Sequence, residues 1–223
     1  REGSPLNRYI HLPKRSHSVV CHMAAKVLGM AALVLGALPA HADILWLQRE
    51  GDQLQARIGE LSVPGALPAL RDAQPVLPGG RVAPMATAAD HYSFAPGEGD
   101  ARFTALRVGG NGVLTYFQAR HGRQETKAAN DLELVPAEPG GNTFRLFFKG
   151  RPAHASRVNV DTAAGWRKSL TPNADGSVTL DTPIPGLYVL EVSAKLNDAN
   201  VTIDGKKYED VRYTATLSFE VKP

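Results

Sequence analysis

From Asp43 onward, apolar residues come in short runs with a period of two, broken by Gly, Pro, Asn or Asp. A period of two places alternate side chains on opposite faces of a strand, so this texture predicts β structure and not helix. Ile44–Gln48 and Gln53–Ile58 read as strands joined by the turn Arg49-Glu-Gly-Asp52. Arg102–Val108 and Val113–Ala119 flank Gly109-Gly-Asn-Gly112, whose residues tolerate positive φ and mark a hairpin. Further on, Leu132–Val135, Thr143–Lys149, Ser156–Thr162, Ser177–Asp181 and Leu187–Lys195 repeat the pattern. The last strand, Val211–Val221, sets Tyr213, Ala215, Leu217, Phe219 and Val221 on one face. Arg212, Thr214, Thr216, Ser218 and Glu220 lie on the other, where Ser and Thr predict a solvated surface.

Two stretches depart from this texture. Residues 64–101 are rich in Pro, Ala and Gly and predict a long crossing loop, with a short helical turn at Leu67–Ala73 and one or two weak strands. His121–Asn130 is polar without period and is the expected linker. The expected fold is therefore all-β, in two antiparallel sandwich-like parts. These are residues 43–126, with the long Pro/Gly loop, and residues 131–223, which have the size of an immunoglobulin-like or prealbumin-like domain.

The N-terminal residues follow a different logic. From Met23 the chain shows a cationic start at Lys26, an apolar run from Val27 to Leu38, and Ala40-His41-Ala42, the three parts of a cleaved signal peptide over residues 23–42. Twelve apolar residues are too few for a transmembrane helix, which needs about 20, and no later stretch is long or apolar enough. Residues 1–22 lack Met and lack periodicity, and read as a non-native or untranslated leader with Met23 as initiator. The only cysteine, Cys21, lies there, so the chain after Ala42 can form no disulfide and has no cysteine for acylation. An exported, cysteine-free protein of this kind is expected in a bacterial periplasm.

Charge adds little once the leader is set aside. The net charge of +3 and the pI near 9.0 come from residues 1–42, which hold five Lys/Arg against one acid. The remainder carries 20 basic and 21 acidic residues, so no basic surface points to nucleic acid. No Gly-x-Ser-x-Gly motif and no phosphate loop occur, and Gly109–Gly112 sits between strands. The carboxylate neighbours Glu98/Asp100 and Glu209/Asp210 lack any specific spacing. Asn173-Ala-Asp-Gly176 starts like a calcium loop, but Thr182 and Pro183 stand where its bidentate acid belongs, so it reads as a turn. Metal binding is the chemistry left open. After Ala42 the histidines are His91, His121 and His154, imidazoles suited to nickel, cobalt, copper or zinc, though no two have ligand-pair spacing.

The second segment carries a resemblance. Asp131-Leu-Glu-Leu-Val-Pro136, Phe148-Lys-Gly-Arg-Pro152, Asn173-Ala-Asp-Gly-Ser177, Pro185-Gly-Leu-Tyr188 and Tyr213-Thr-Ala-Thr-Leu-Ser-Phe219 follow in order, after a start Asp43-Ile-Leu-Trp-Leu47. This series resembles a bacterial periplasmic family of unknown function, grouped with the periplasmic components of nickel and cobalt uptake systems (NikM-like). The resemblance implies a non-enzymatic accessory of transition-metal uptake, with a nickel or cobalt ion and a membrane uptake system as partners. Metal-binding members of that group use a histidine near the mature N-terminus. Here the nearest, His41, falls inside the cleavage site, and Leu38 favours cleavage after Ala42 over cleavage after Ala40. The alternative expectation is an envelope interaction module without a metal, docking through sheet edges and the long loop.

Overall fold

The alternation along the chain is realised as strands, and no α-helix occurs among the described residues. The structure is a computed structural model and describes residues 33–34, 43–78 and 81–223; the expected leader and most of the signal peptide lie outside these. In chain order the strands are β1 (Leu33–Val34), β2 (Ile44–Glu50), β3 (Gln53–Glu60), β4 (Val63–Pro64), β5 (Arg71–Val76), β6 (Ala86–Thr87) and β7 (Tyr92–Phe94). Then come β8 (Ala101–Val108), β9 (Val113–His121), β10 (Leu132–Pro136), β11 (Thr143–Phe148), β12 (Arg151–Ala153) and β13 (Val158–Thr162). The rest are β14 (Arg167–Leu170), β15 (Val178–Thr179), β16 (Gly186–Leu196), β17 (Val201–Ile203), β18 (Lys206–Tyr208) and β19 (Asp210–Val221).

A mixed eight-stranded sheet runs β14-β13-β16-β19-β9-β8-β5, with β1 added to β16. Its one parallel pairing, β9 with β19, runs in register from Val113↔Asp210 to His121↔Ser218. This pairing joins the segments expected to separate near residue 130, so residues 43–126 and 131–223 share a single sheet. Each also contributes an outer sheet: β2-β3-β7-β6 with β4 from the first, β10-β11-β12 with β15 from the second. β17 and β18 form a separate hairpin.

The outer sheets pack against opposite faces of the central one. Tyr213, Ala215, Leu217 and Phe219 join Leu132, Leu134, Phe144, Leu146, Tyr188 and Leu190 in the larger core. On the other face Phe103, Ala105, Phe117 and Ala119 meet Leu45, Leu47, Leu54 and Ile58. β2 is buried on both its faces, because Ile44 and Trp46 turn toward Leu187 and Val189 of β16. That double burial explains its unbroken apolar Ile-Leu-Trp-Leu run. Trp166 is half-buried, edge-on to Tyr188 at 6.3 Å.

Three expectations are corrected. Leu67–Ala73 is not helical: Leu67 N donates to Ala89 O at 3.0 Å, and the chain enters β5 at Arg71. Leu67, Leu70 and Ala73 have helical spacing, yet they reach the second core from extended backbone, with a bulge between Arg71 and Gln74. Second, Thr214, Thr216 and Ser218 are buried and not solvated, since β2 covers their face. Third, the strand expected at Ser177–Asp181 is only Val178–Thr179. Among the described residues no helix is long and apolar enough to cross a membrane.

Candidate functional site

The densest chemistry lies where the second outer sheet meets the central one. The Gly109–Gly112 hairpin fixes the β8/β9 register, and that register sets Arg102 directly opposite Arg120. Two like charges in this position repel unless acids neutralise them. Glu133 of β10 accepts from Arg102 Nε at 2.6 Å and stands 3.7 Å from Arg120 Nη1. Asp100, just before β8, accepts from Arg120 Nη2 at 2.5 Å, and Glu125 accepts from Arg102 Nη1 at 3.0 Å. Arg120 and Glu133 are 0% and 1% exposed. Burial pulls the Arg102 guanidinium down, but Glu133 and Glu125 outweigh it and hold the group above its ordinary value.

The segment expected as a linker closes this cluster. The Gln124 and Glu125 amides donate to Asp100 at 2.9 and 2.8 Å, and Ala129 N donates to Glu133 at 2.6 Å. Gly122 has φ 105°, and its Cα faces the Asp100 carboxylate so closely that a Cβ would collide with it. Gln118 accepts from Leu132 N at 2.7 Å, which fastens β10 to β9. A sequence signal for part of this existed, since the expected turn puts the two strands side by side. Counting outward from that turn pairs Arg102 with Ala119; the register found, Val108 opposite Leu114, differs by one residue and is what sets Arg102 against Arg120, a pair that demands buried acids. Nothing local identifies Asp100, Glu125 or Glu133 as those acids.

A second polar seam joins β2 to the opposite face. Thr216 Oγ1 donates to Leu45 O at 2.7 Å and Ser218 Oγ to Leu47 O at 2.6 Å. β2 is an edge strand, so these hydroxyls satisfy carbonyls that no neighbouring strand reaches. His121 Nδ1 lies 3.0 Å from Ser218 Oγ. Burial and the nearby Arg49 charge hold the imidazole below its ordinary value, against the opposing pull of Leu47 O and Asp100. A serine beside a histidine is the geometry of an activated nucleophile. Here, however, Ser218 is 0% exposed and its hydroxyl is held by Leu47 O, so no substrate carbonyl reaches it.

The three candidate metal ligands occupy three different places. His121 is in this seam. His91 precedes β7, with Nδ1 2.6 Å from Asp90 Oδ1, while Arg57 Nη1 donates to Asp90 Oδ2 at 3.0 Å. Hydrogen bonds from His91 and Arg57 keep the Asp90 carboxyl below its ordinary value. His154 follows β12 and lies against the Asn173–Gly176 turn, where a Cβ on Gly176 would stand 2.8 Å from its Nδ1. Among the described residues no group of three or more His, Cys, Asp or Glu side chains is arranged to hold a metal ion. In comparison with known proteins, no family model matches this chain and no curated protein is similar to it.

Proposed function

We propose that this chain is an exported, non-enzymatic binding protein of the bacterial envelope that works through protein contacts, as an accessory of transition-metal uptake and not as the carrier of the ion. The observation that carries this reading is the use made of the buried polar groups. Arg102, Arg120, Glu133, Thr216 and Ser218 bind one sheet to another and Asp100 holds Arg120 and the Gln124 and Glu125 amides, so these polar groups are spent inside and the exposed edges and loops remain for recognition. The signal-like residues 23–42 support export, and the turn-and-strand series from Asp131 to Phe219 supports the link to nickel and cobalt uptake.

Calorimetric titration with nickel, cobalt, copper and zinc tests this, using protein that begins at Asp43 and retains all three cores. The accessory reading expects no binding heat from any of the four, together with cross-linking in cells to a membrane uptake component. Micromolar or tighter binding that is lost in His91→Ala, His121→Ala or His154→Ala would overturn it and make the protein a carrier. One observation favours that second reading. Asp90 holds Nδ1 of His91, as a carboxylate does when it orients a metal-binding imidazole and leaves Nε2 for the ion.

A further inference from the structure

β16 is paired by β19 along nearly its whole length, from Gly186↔Val221 to Lys195↔Arg212. On its other side β13 reaches only from Tyr188 to Glu191. Within residues 43–223 the backbone from Val192 to Leu196 therefore keeps one edge that no described strand fills. Val192, Ala194 and Leu196 are nevertheless buried in the larger core. Lys195, the charge that would guard such an edge, lies 3.8 Å from Asp210 of β19 on the paired side. Onto this edge β1 adds antiparallel, with Leu33 opposite Leu196 and Val34 opposite Lys195. β1 belongs to the apolar run Val27–Leu38.

Three other edges, β5, β12 and β6, are blunted. β5 carries Pro75, a bulge, and Asp72 at φ 51°; β12 is three residues long and contains Pro152; β6 has two residues. We propose that the Val192–Leu196 edge, met by Leu33–Val34 in the unprocessed chain, is in the processed protein a strand-acceptor site for an extended apolar strand of a partner protein. The proposal rests on the export reading above, because cleavage after Ala42 is what vacates the edge. Main-chain hydrogen bonds would supply the affinity, and the partner's alternate apolar side chains would continue the surface of Val192, Ala194 and Leu196.

Hydrogen exchange on the full chain tests this. Replacing Leu33→Pro and Val34→Pro together removes the one ladder donor that these two residues offer β16, since only alternate amides of a strand face a given neighbour, and bars the extended pairing. The edge amides that face away from β19, Lys195 first among them, should then exchange roughly tenfold faster or more, while those of β8 and β9 stay unchanged. A soluble peptide of residues 30–37 with a lysine tail should restore protection at the edge, and the same peptide N-methylated on its backbone should not. Unchanged exchange in the double-proline chain would overturn the proposal. So would equal protection by the methylated peptide, which would mean apolar adhesion, or a doubled mass, which would mean a second copy at the edge. Failure here leaves the accessory reading intact, since that is read by metal titration and by cross-linking to the uptake system.

Discussion

Glu133→Ala tests whether the charged cluster between β8, β9 and β10 is a dry joint. Glu133 takes the Arg102 Nε hydrogen at 2.6 Å and the Ala129 amide at 2.6 Å, and stands nearest to Arg120 Nη1, which has no hydrogen-bond partner of its own. Its removal leaves two facing guanidinium groups, 7% and 0% exposed, with only Asp100 and Glu125 to balance them. Breaking a buried pair from one side costs about 3–5 kcal/mol, chiefly because the remaining charge stays buried. We expect Glu133→Ala to lie in that range, and Glu133→Gln, which keeps an acceptor oxygen, near ~2 kcal/mol. Replacing Arg102→Met and Glu133→Leu together should cost less than the two single changes added, because no orphan is left between that pair. Urea unfolding followed by tryptophan fluorescence measures all of these. Trp46 reports on the β2 layer and Trp166 on the β13–β16 side, so Trp46→Phe and Trp166→Phe backgrounds show whether both lose stability together. A Glu133→Ala penalty under about 1 kcal/mol at unchanged m-value would refute the reasoning, since it would mean that water already reaches the cluster.

Three further outcomes follow from the same contacts. Gly122→Ala, at φ 105° and against the Asp100 carboxylate, must displace that carboxylate from Arg120; the expected loss is about 3 kcal/mol or more, read from the urea midpoint. Thr216→Val leaves Leu45 O without its donor, and Ser218→Ala does the same to Leu47 O. Each should cost about 1–3 kcal/mol and speed amide exchange in β2 and β3 more than in β10 and β11. For His121 the folded imidazole binds its proton less readily than the unfolded one, so stability is full above about pH 6.5 and declines as pH falls through that value. His121→Asn should flatten stability between pH 7 and pH 5, and a profile that still falls there would assign the effect to other groups.

The strands were legible because alternation is a local property. β2, β3, β8, β9, β16 and β19 begin and end within a few residues of where the periodicity places them. Partnership was not legible. The parallel pairing of Val113 with Asp210 joins residues far apart in sequence, and no turn between them specifies it. The hydroxyl face of β19 misled for a definite reason. Thr and Ser at alternate positions satisfy water and satisfy buried carbonyls equally well, so one pattern serves an exposed sheet or a covered one. Leu67, Leu70 and Ala73 misled differently: apolar spacing of three implies a helix only where the backbone can be helical, and Pro64, Pro68 and Pro75 keep this stretch extended. At the site, the expected turn puts the two strands side by side but one residue out of register, so it does not by itself set Arg102 opposite Arg120. The acids that balance them come from a preceding loop, a presumed linker and another sheet.

Both outer sheets meet the central sheet through an edge strand, β2 on one face and β10 on the other. An edge strand carries unpaired backbone groups, and burying it is costly unless each finds a partner. The central sheet supplies those partners from side chains: Thr216 and Ser218 for Leu45 O and Leu47 O, Gln118 for Leu132 N, and Asn130 Nδ2 for Ala119 O in return. Apolar contact alone would tolerate small slips of one sheet over another. Directional bonds do not, because a shift by one residue moves every hydroxyl and amide to the wrong face. β19 is thus read twice, its odd positions as core and its even positions as a template for β2. Among the described residues after Asp43 no strand fills the edge of β16 beyond β13, and by the same accounting it is the place where a further strand belongs.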